Sequence, residues 1–397
     1  MNREDFLVLN TGTIYFDNGA TTLTPKQVVE AMDRYYYEHT SNIHRGDYKA
    51  AMITNELYDS TREVVKDFVN APNALVIYTK GATEAINLVV FGYMKNNLKK
   101  GDEVLLNKAE HASNILPWIK LSEEIGIVIK YVPLDSNYEV TYDNVKNSIT
   151  DKTKVISIAG ISNVVGDVRD LKRIGALCKE KGILLNVDGA QSVPHMKTDF
   201  LGCNMDFLSF SAHKMVGPTG VGCLVVKKEL IDKMEPLIYG GGMNQVFEAD
   251  NTYELKTGVS KFEGGTPPIA EVIGLREAIK YLEDIGMDNI HKYEMELKEY
   301  MISELSKIDN IKLYNKTSTS GILSFNIKDV FAQDTAIYLN HYNICVRAGN
   351  HCTKLLKDEL NIKNTVRVSL YFYNTKEEID KLIEVLKQSY DIFKVVI

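Results

Sequence analysis

The stretch FSAHKMVGPTGVGCLVV, residues 210–226, decides the fold, because it places a lysine inside a segment that is otherwise apolar or turn-forming. Ser211, His213 and Lys214 stand together, glycines and a proline follow, and an apolar run ends the stretch. We interpret it as a strand, a tight polar turn and a second strand. A lysine buried between strands becomes a nucleophilic amine that can form a Schiff base. A surface hairpin with an exposed lysine is the alternative, and this stretch alone does not exclude it.

A second signal lies upstream, in ILLNVDGAQSVPH, residues 183–195. Its apolar start predicts a buried strand, and Asp188 follows where this strand ends. In open α/β sheets, ligands bind at the carboxyl ends of the strands. An aspartate at a pyridinium nitrogen, together with a Schiff-base lysine, is typical of enzymes that use pyridoxal 5'-phosphate (PLP). A helix N-cap or turn aspartate is the simpler explanation of Asp188.

Short apolar runs alternate with helical patterns between residues 75 and 226, which predicts an α/β fold with a mostly parallel, seven-stranded sheet. The strands are predicted at residues 75–78, 103–106, 128–132, 155–158, 183–187, 207–210 and 222–226. Helices are predicted at residues 84–94, 114–125 and 171–181.

A composition shift near residues 265–275 predicts a second domain. Long helical patterns follow Pro268, and then come strands near 321–327, 344–347 and 366–370 and a helix from about residue 375. We therefore expect a large domain of residues 21–268, and a smaller α+β domain of residues 1–20 and 269–397.

The composition is that of a globular protein, with 397 residues, 45% of them hydrophobic and 25% charged, and a net charge of −7. No basic run suggests a nucleic-acid partner, and no apolar stretch of about 18 residues suggests a membrane span. The first residues lack the pattern of a signal peptide. The five cysteines form no CxxC pair, which favours a reducing, cytoplasmic environment. We expect no metal site, because the neighbours His351 and Cys352 have no further spaced ligands.

Polar residues follow several other predicted strands. Thr83 lies at the start of a helix in TKGATEAIN, where free N–H groups favour an anion such as phosphate. His111 and Asn163 follow the strands at 103–106 and 155–158. A threonine N-cap and a structural histidine are ordinary explanations for single cases. Polar groups that converge at one sheet edge, however, are what a binding site requires.

Two residues near the C-terminus could bind a substrate or react with it. Arg367 lies in the strand-like TVRVSLYFYNT, where a guanidinium can hold a carboxylate through two hydrogen bonds, or form a surface ion pair. Cys352 precedes the helical TKLLKDEL, and a thiol near a helix N-terminus ionises readily and is reactive. The other four cysteines are typical of small buried hydrophobic residues.

With these residues, the chain resembles the class V aminotransferases of PLP fold type I, and more closely the group II cysteine desulfurases of the SufS/Csd type. The resemblance spans nearly the whole chain, through DNGATT, NIHRG, GATEAINLV, EHASNILPW, SNVVG, DGAQ, FSAHKMVGPTG, FEGGTPP and VRAGNHC. The chain departs from the family at Asn350 and Thr353, near the cysteine, and at Lys80 and Ala82. These departures affect the expected rate and choice of acceptor.

The resemblance implies a complete site. The residues that would hold the cofactor are Lys214 through a Schiff base, Asp188 at the pyridine nitrogen, His111 stacked on the ring, Gln191 at the ring hydroxyl, and Thr83, Ser211 and His213 at the phosphate. Thr266, in FEGGTPP, would reach the phosphate of the neighbouring subunit, which implies a homodimer. Asn163 and Arg367 would hold the substrate carboxylate, and Arg347 would line the site.

The implied reaction converts L-cysteine to L-alanine, with Lys214, Cys352 and His111 as the catalytic residues. Lys214 would act as the base at the substrate's Cα, and Cys352 would take the sulfur as a persulfide. A SufE- or SufU-like acceptor protein would then receive it for iron–sulfur cluster assembly. Two alternatives stay open: a selenocysteine lyase on the same scaffold, and a non-catalytic PLP-fold scaffold protein.

Overall fold

The computed structural model describes the backbone of residues 2–396 and the side chains of residues 2–389. The strands are β1 (Ile14–Tyr15), β2 (Ala74–Thr79), β3 (Glu103–Asn107), β4 (Val128–Val132), β5 (Thr153–Ala159), β6 (Leu184–Asp188), β7 (Phe207–Ser211), β8 (Gly222–Lys227), β9 (Asn244–Phe247), β10 (Tyr253–Leu255), β11 (Ile311–Tyr314), β12 (Ile322–Ile327), β13 (Ile344–Cys345), β14 (Arg347–Gly349) and β15 (Thr365–Ser369).

The α-helices are α1 (Lys26–Glu38), α2 (Lys49–Phe68), α3 (Ala82–Asn87), α4 (Lys95–Asn97), α5 (Leu116–Ile125), α6 (Tyr142–Ser148), α7 (Leu171–Lys181), α8 (Ile269–Ile285), α9 (Met287–Leu305), α10 (Ala332–Asn340), α11 (Lys354–Leu360) and α12 (Lys376–Val396). A π-helical segment, Leu88–Met94, joins α3 to α4. Short 3-10 helices lie at Arg3–Asp5, Leu7–Thr11, Ala112–Asn114, Ala212–Lys214, Lys228–Lys233 and Gly258–Phe262. Among the described helices, none combines the length and the apolar character that a membrane crossing needs.

A seven-stranded sheet with the order β2-β8-β7-β6-β5-β3-β4 forms the centre of the molecule. Its strands are parallel except β8, which runs antiparallel to both β2 and β7. The central strands are buried on both faces, as β7 with its five buried residues illustrates, because helices cover both faces of the sheet. Since all strands but one point the same way, their carboxyl ends meet at one edge, where ligands bind in such sheets.

The sequence prediction of this sheet is confirmed. Each of the seven predicted strands is a strand of the sheet, and the predicted bounds at 128–132 agree with those of β4. The helix predicted at 171–181 is α7, while the one predicted at 84–94 is part of a longer segment that runs from α3 through the π-helical turn to α4. The helices α1 and α2 and the hairpin of β9 and β10 were not among the predicted elements.

A second sheet, of order β11-β12-β15-β14, is antiparallel throughout. The predicted strand at 344–347 is wrong as one element. Its first half, β13, pairs with β1, and its second half begins β14, which pairs with β15. The chain changes its pairing strand at Val346, so the apolar sequence pattern is continuous although the strand is interrupted there.

The second sheet has its own apolar core, to which Leu297 of α9, Val368 of β15 and Leu382 of α12 contribute. The preceding helix α8 instead contributes Val272 and Ile279 to the core beneath the large sheet. The division into residues 21–268 and a smaller domain stays a prediction.

Candidate active site

A cavity of about 250 Å³ opens at the carboxyl edge of the large sheet. It brings together almost every site residue predicted from the sequence: Thr83, His111, Asn163, Asp188, Gln191, Ser211, His213, Lys214, Arg347, Cys352 and Arg367. They lie at the ends of strands of the large sheet, in the loops that follow those strands, and in or next to the second sheet, so the cavity lies where the two sheets meet. Thr266 does not line it.

Lys214 ends the 3-10 turn Ala212–Lys214 that directly follows β7. The pKa of its amine is lowered to about 8, because burial penalises the charged form while Asp188, at the end of β6, only partly restores it. The nearby guanidinium groups of Arg367 and Arg347 lower the pKa further. A lysine in this state supplies a neutral amine near neutral pH, which a nucleophile or a base requires.

Asp188 is held by its own turn, in which the N–H of Ala190 donates to its Oδ1 over 3.0 Å. Gln191 donates from Nε2 to the carbonyl of Gly19 over 2.7 Å. Both side chains are buried and line the cavity, so their remaining oxygen atoms are available to a ligand.

Burial keeps His111 and His213, which line the cavity, neutral. It lowers the pKa of His213 to about 4, with a further contribution from the Lys214 charge. The same two causes, burial first, lower the pKa of His111. His111 Nδ1 accepts a hydrogen bond from the N–H of Ser113 at 3.2 Å, so the ring proton belongs on Nε2. A neutral ring fixed at one nitrogen can stack on a planar ligand and donate from the other.

A small polar cradle follows β2. Ser211 Oγ accepts a hydrogen bond from the N–H of Ala82 at 2.8 Å, and the hydroxyls of Thr83 and Ser113 lie 2.8 Å apart. Gly81 has a φ of +153°, and a Cβ there would approach Ser211 Oγ to 3.1 Å, so the position requires glycine. Hydroxyls and N–H groups arranged in this way suit a phosphate group.

Arg367 is almost completely buried in β15, directly opposite Arg347 in β14. Its Nη1 donates to the carbonyl of Asn163 over 3.0 Å, and its Nη2 to Asp17 Oδ1 over 2.9 Å. Its Nε is buried without a hydrogen-bond partner among the described residues. Arg367 nevertheless lines the cavity, where its guanidinium can meet an acceptor such as a carboxylate.

Cys352 lies at the exposed end of a short loop between β14 and α11 and has a φ of +57°. Two loops of the large sheet fix it: Asn163 Nδ2 donates to the carbonyl of His351 over 2.8 Å, and the N–H of Ala112 donates to that of Cys352, also over 2.8 Å. The Asn163 amide is therefore engaged by the loop, although the sequence predicted it as a substrate ligand. Its side chain still lines the cavity.

His351 is fixed through Nε2, which lies 3.1 Å from the carbonyl oxygen of Thr365 and so carries the proton. Burial, reinforced by the charges of Arg367 and Lys357, lowers the pKa of His351 to about 2. Because the ring is neutral and buried, it supports the loop rather than supplying charge to Cys352.

The sequence reasoning missed two groups that hold the site together. The motif DNGATT had no assigned role, yet Thr22 N–H donates to the carbonyl of His213 over 2.9 Å, and Thr22 Oγ1 accepts from the N–H of Val216 over 2.8 Å. This motif therefore secures the turn that carries Lys214, and Asp17 secures Arg367. The sequence feature that could have indicated this role is the polar DNGATT turn, which follows an apolar strand.

The second missed group is buried behind His111. Glu110 accepts hydrogen bonds from Asn107, from Asn114 at 2.8 Å and from the N–H of Ala159 at 2.9 Å. The guanidinium of Arg169 lies 4.0 Å away, and burial raises the pKa of Glu110. Because Glu110 precedes His111 directly, this network fixes the position of the histidine.

Thr266 lies on an exposed segment, where its hydroxyl accepts a hydrogen bond from Asn42 Nδ2 at 3.2 Å. A second cavity beside it is lined by His44, Arg45 and Glu263 among others. Within the described part of the chain, no three His, Cys, Asp or Glu residues are grouped in a way that could hold a metal ion.

The chain is similar in sequence to known proteins along nearly its whole length. The aminotransferase class-V family matches residues 14–382. A probable cysteine desulfurase of Staphylococcus aureus is 44% identical over 384 residues, which cover 96% of this chain and 92% of that protein. A probable cysteine desulfurase of Staphylococcus epidermidis is 40% identical, over 98% of this chain and 96% of that protein.

Two solved structures are similar over nearly their full length. The apo cysteine desulfurase of Thermococcus onnurineus NA1 has a TM-score of 0.93 and 34% identity, and the match covers 97% of this chain and 96% of that one. The cysteine desulfurase CsdA of Escherichia coli, in its S-sulfonic acid form, has a TM-score of 0.92 and 32% identity, with 98% of each chain covered. The similarity therefore includes both sheets and the cavity between them.

Proposed function

The chain belongs to the class V aminotransferase family, and from this premise we propose that it is a PLP-dependent cysteine desulfurase that converts L-cysteine to L-alanine. One observation carries the proposal: a single cavity contains an amine with a lowered pKa, a carboxylate beside it, a buried arginine with an unsatisfied nitrogen, and an exposed thiol. These are the groups that the reaction needs for the cofactor, the substrate carboxylate and the sulfur.

The chemistry of the cavity fits PLP. Lys214 supplies the amine that a Schiff base needs, and Asp188 supplies a carboxylate for a protonated pyridine nitrogen. His111 would cover the ring, Gln191 would contact the ring hydroxyl, and the cradle of Thr83, Ser211 and His213 would hold the phosphate. When bound, PLP supplies an electron sink for the negative charge that develops at the substrate's Cα.

Residues of the chain would orient the substrate and transfer its protons. Arg367, with Arg347 beside it, would hold the carboxylate of cysteine and so orient its Cα–H bond towards the Lys214 amine. Lys214 would take the Cα proton at Nζ and return a proton to the substrate skeleton. His111, neutral and fixed through Nδ1, could donate from Nε2 without adding charge.

Cys352 would act as the nucleophile towards the sulfur of the substrate. As the thiolate, its Sγ would form a bond to that sulfur while the substrate's carbon–sulfur bond breaks. The electron pair of the broken bond would stay with the carbon skeleton, which takes up protons and leaves as L-alanine. The enzyme would keep the sulfur as a Cys352 persulfide.

The short cysteine loop supports transfer of this sulfur to an acceptor protein. Four residues separate Cys352 from Arg347 of β14, and hydrogen bonds from Asn163 and Ala112 hold the loop. At about 3.5 Å per extended residue, such a loop cannot carry the persulfide far. We therefore expect slow release to small thiols and faster release to a SufE- or SufU-like protein, for iron–sulfur cluster assembly in a reducing cytoplasm.

An assay of the PLP-loaded enzyme with L-cysteine tests the proposal. The wild type should release L-alanine and, with a reductant, sulfide, whereas Cys352→Ser should bind cysteine and release neither. Cys345→Ser is the matched control, since Cys345 is half-buried outside the cavity lining. No alanine from the loaded wild type would contradict the proposal. Selenide release from selenocysteine alone would favour a selenocysteine lyase.

A further inference from the structure

Asp17 connects the two arginines of the cavity, although neither its motif nor the proposed reaction gives it a role. Its Oδ1 accepts the hydrogen bond from Arg367 Nη2 at 2.9 Å, and its Oδ2 lies 3.8 Å from Arg347 Nη1. Asp17 itself does not line the cavity, whereas both arginines do. It therefore lies behind the two guanidinium groups, from which it can orient them without touching a ligand.

The backbone fixes Asp17 in this place. Asp17 forms a parallel bridge with Ser369, two residues beyond Arg367 on the same strand. Ser369 N–H donates to the carbonyl of Phe16 over 2.7 Å, and Gly19 N–H donates to Ser369 Oγ over 2.7 Å. The turn that carries Asp17 is thus attached to the strand that carries Arg367, and this attachment fixes the distance between the carboxylate and the guanidinium.

Gly19, in the same turn, lies directly against the guanidinium. A Cβ at Gly19 would stand 3.1 Å from the central carbon of Arg367 and 3.2 Å from Nη2. The absent side chain leaves room for the guanidinium, while Asp17 and the carbonyl of Asn163 occupy its two terminal nitrogens. Both Arg367 and the nearby Arg347 line the cavity, where a ligand can approach them.

We propose that Asp17 is a positioning residue that sets the substrate specificity of the arginine pair. It orients Arg367 and reduces the combined charge of the two arginines from two to one. The site then matches an amino acid with one carboxylate and discriminates against one with a second carboxylate, such as L-aspartate. This inference rests on the proposed function, in which the arginines hold the substrate carboxylate.

The charges explain the direction of the effect. Arg347, Arg367 and Asp17 together carry one positive charge, which the carboxylate of one monocarboxylic amino acid neutralises. A second carboxylate would be desolvated without a partner, which is costly in a buried site. If Asp17 becomes neutral, the second positive charge is uncompensated, and it attracts that second carboxylate. Because the Asp17 side chain is 21% exposed, solvent screens part of this effect.

Calorimetric titration of the PLP-loaded enzyme with L-alanine and L-aspartate measures this discrimination without turnover. In Asp17→Asn, the ratio of the two dissociation constants should shift by about tenfold in favour of L-aspartate. Asp17→Glu, which keeps the charge, should retain the wild-type ratio. Asp143→Asn, an equal charge change at an exposed position in the first turn of α6, should also retain it.

Arg347→Gln supplies a test in the opposite direction, should Asp17→Asn fold poorly. It removes one positive charge and leaves Asp17 in place, so the ratio should shift away from L-aspartate. An unchanged ratio in both Asp17→Asn and Arg347→Gln would overturn the proposal. Wild-type enzyme that makes no alanine from cysteine would instead overturn the proposed function, and the two failures are therefore distinguishable.

Discussion

Lys214 owes its expected reactivity to its surroundings. Burial lowers its pKa from 10.5 to about 8, against the opposing effect of Asp188. Since only the neutral amine attacks an aldehyde, PLP uptake by the cofactor-free enzyme should rise with pH through a midpoint near 8. Stopped-flow absorbance across a pH series measures this midpoint. Lys214→Ala should show no such step, and a wild-type midpoint near 10.5 would mean that the amine is fully solvated.

Arg367 differs from Arg347 in burial and in geometry. Arg367 is 2% exposed and hydrogen-bonded, whereas Arg347 is 46% exposed and 3.8 Å from Asp17. Arg367→Ala should therefore cost about 1.5–3 kcal/mol of substrate binding, seen as a loss of kcat/KM for cysteine of roughly 10- to 150-fold. PLP absorbance should persist. Arg347→Ala should cost less, and equal losses in the two variants would contradict this ranking.

At the scale of elements, the loop between β3 and α5 depends on a buried charge. Glu110 is enclosed by Asn107, Asn114 and the end of β5, with Arg169 as its nearest cation. Glu110→Ala should lower the free energy of unfolding by about 3 kcal/mol, because Arg169 and the amide groups lose a buried acceptor. Urea unfolding measures the loss.

The control for Glu110 is a glutamate on the adjoining helix. Glu123 of α5 is exposed and pairs with Lys120 at 3.4 Å, so Glu123→Ala should change the free energy of unfolding by at most about 0.5 kcal/mol. If Glu110→Ala were as mild as this control, the buried network would not be needed for the loop that carries His111.

The strands of the large sheet could be predicted because their cause is local. A strand buried on both faces is mostly apolar, and a polar residue follows its apolar run, as Asp188 does in β6. The split of residues 344–347 had a tertiary cause, since β13 and β14 pair with different strands. The local sequence pattern does not show that the chain changes the strand with which it pairs.

The candidate site shows the same limit. Lysine, aspartate and cysteine were found because their chemistry is visible in single motifs. The contact of Asp17 with Arg367 spans 350 positions in the sequence, and the polar DNGATT turn does not show which strand its carboxylate meets. The engagement of the Asn163 amide by the carbonyl of His351 likewise depends on the meeting of two distant loops. Periodicity and spacing cannot predict such contacts.

At the scale of the whole molecule, we propose a two-fold homodimer in which Thr266 completes the phosphate site of the partner subunit. Thr266 is exposed and does not line its own cavity, which leaves it accessible to a second copy. Thr266→Ala should weaken PLP binding while the protein still sediments as a dimer. Thr317→Ala, at another exposed loop position, should leave PLP binding unchanged. A monomer that binds PLP tightly would contradict this arrangement.

Exposure distinguishes Cys352 from the other described cysteines. Cys178 and Cys223 are buried, and Cys203 and Cys345 are half-buried. Burial raises the pKa of Cys178 to about 12 and that of Cys203 to about 11, so these thiols stay protonated at neutral pH. Cys352 alone among the described cysteines is exposed, and it lines the cavity.

Mass spectrometry of the PLP-loaded enzyme after a brief exposure to L-cysteine, followed by peptide mapping, tests the central claim most directly. The account predicts one added sulfur atom on the peptide that contains Cys352, and none in Cys352→Ser. Cys345→Ser should gain the sulfur as the wild type does. Added sulfur on Cys345 or another cysteine, or full activity of Cys352→Ser on L-cysteine, would contradict the claim that this thiol receives the sulfur.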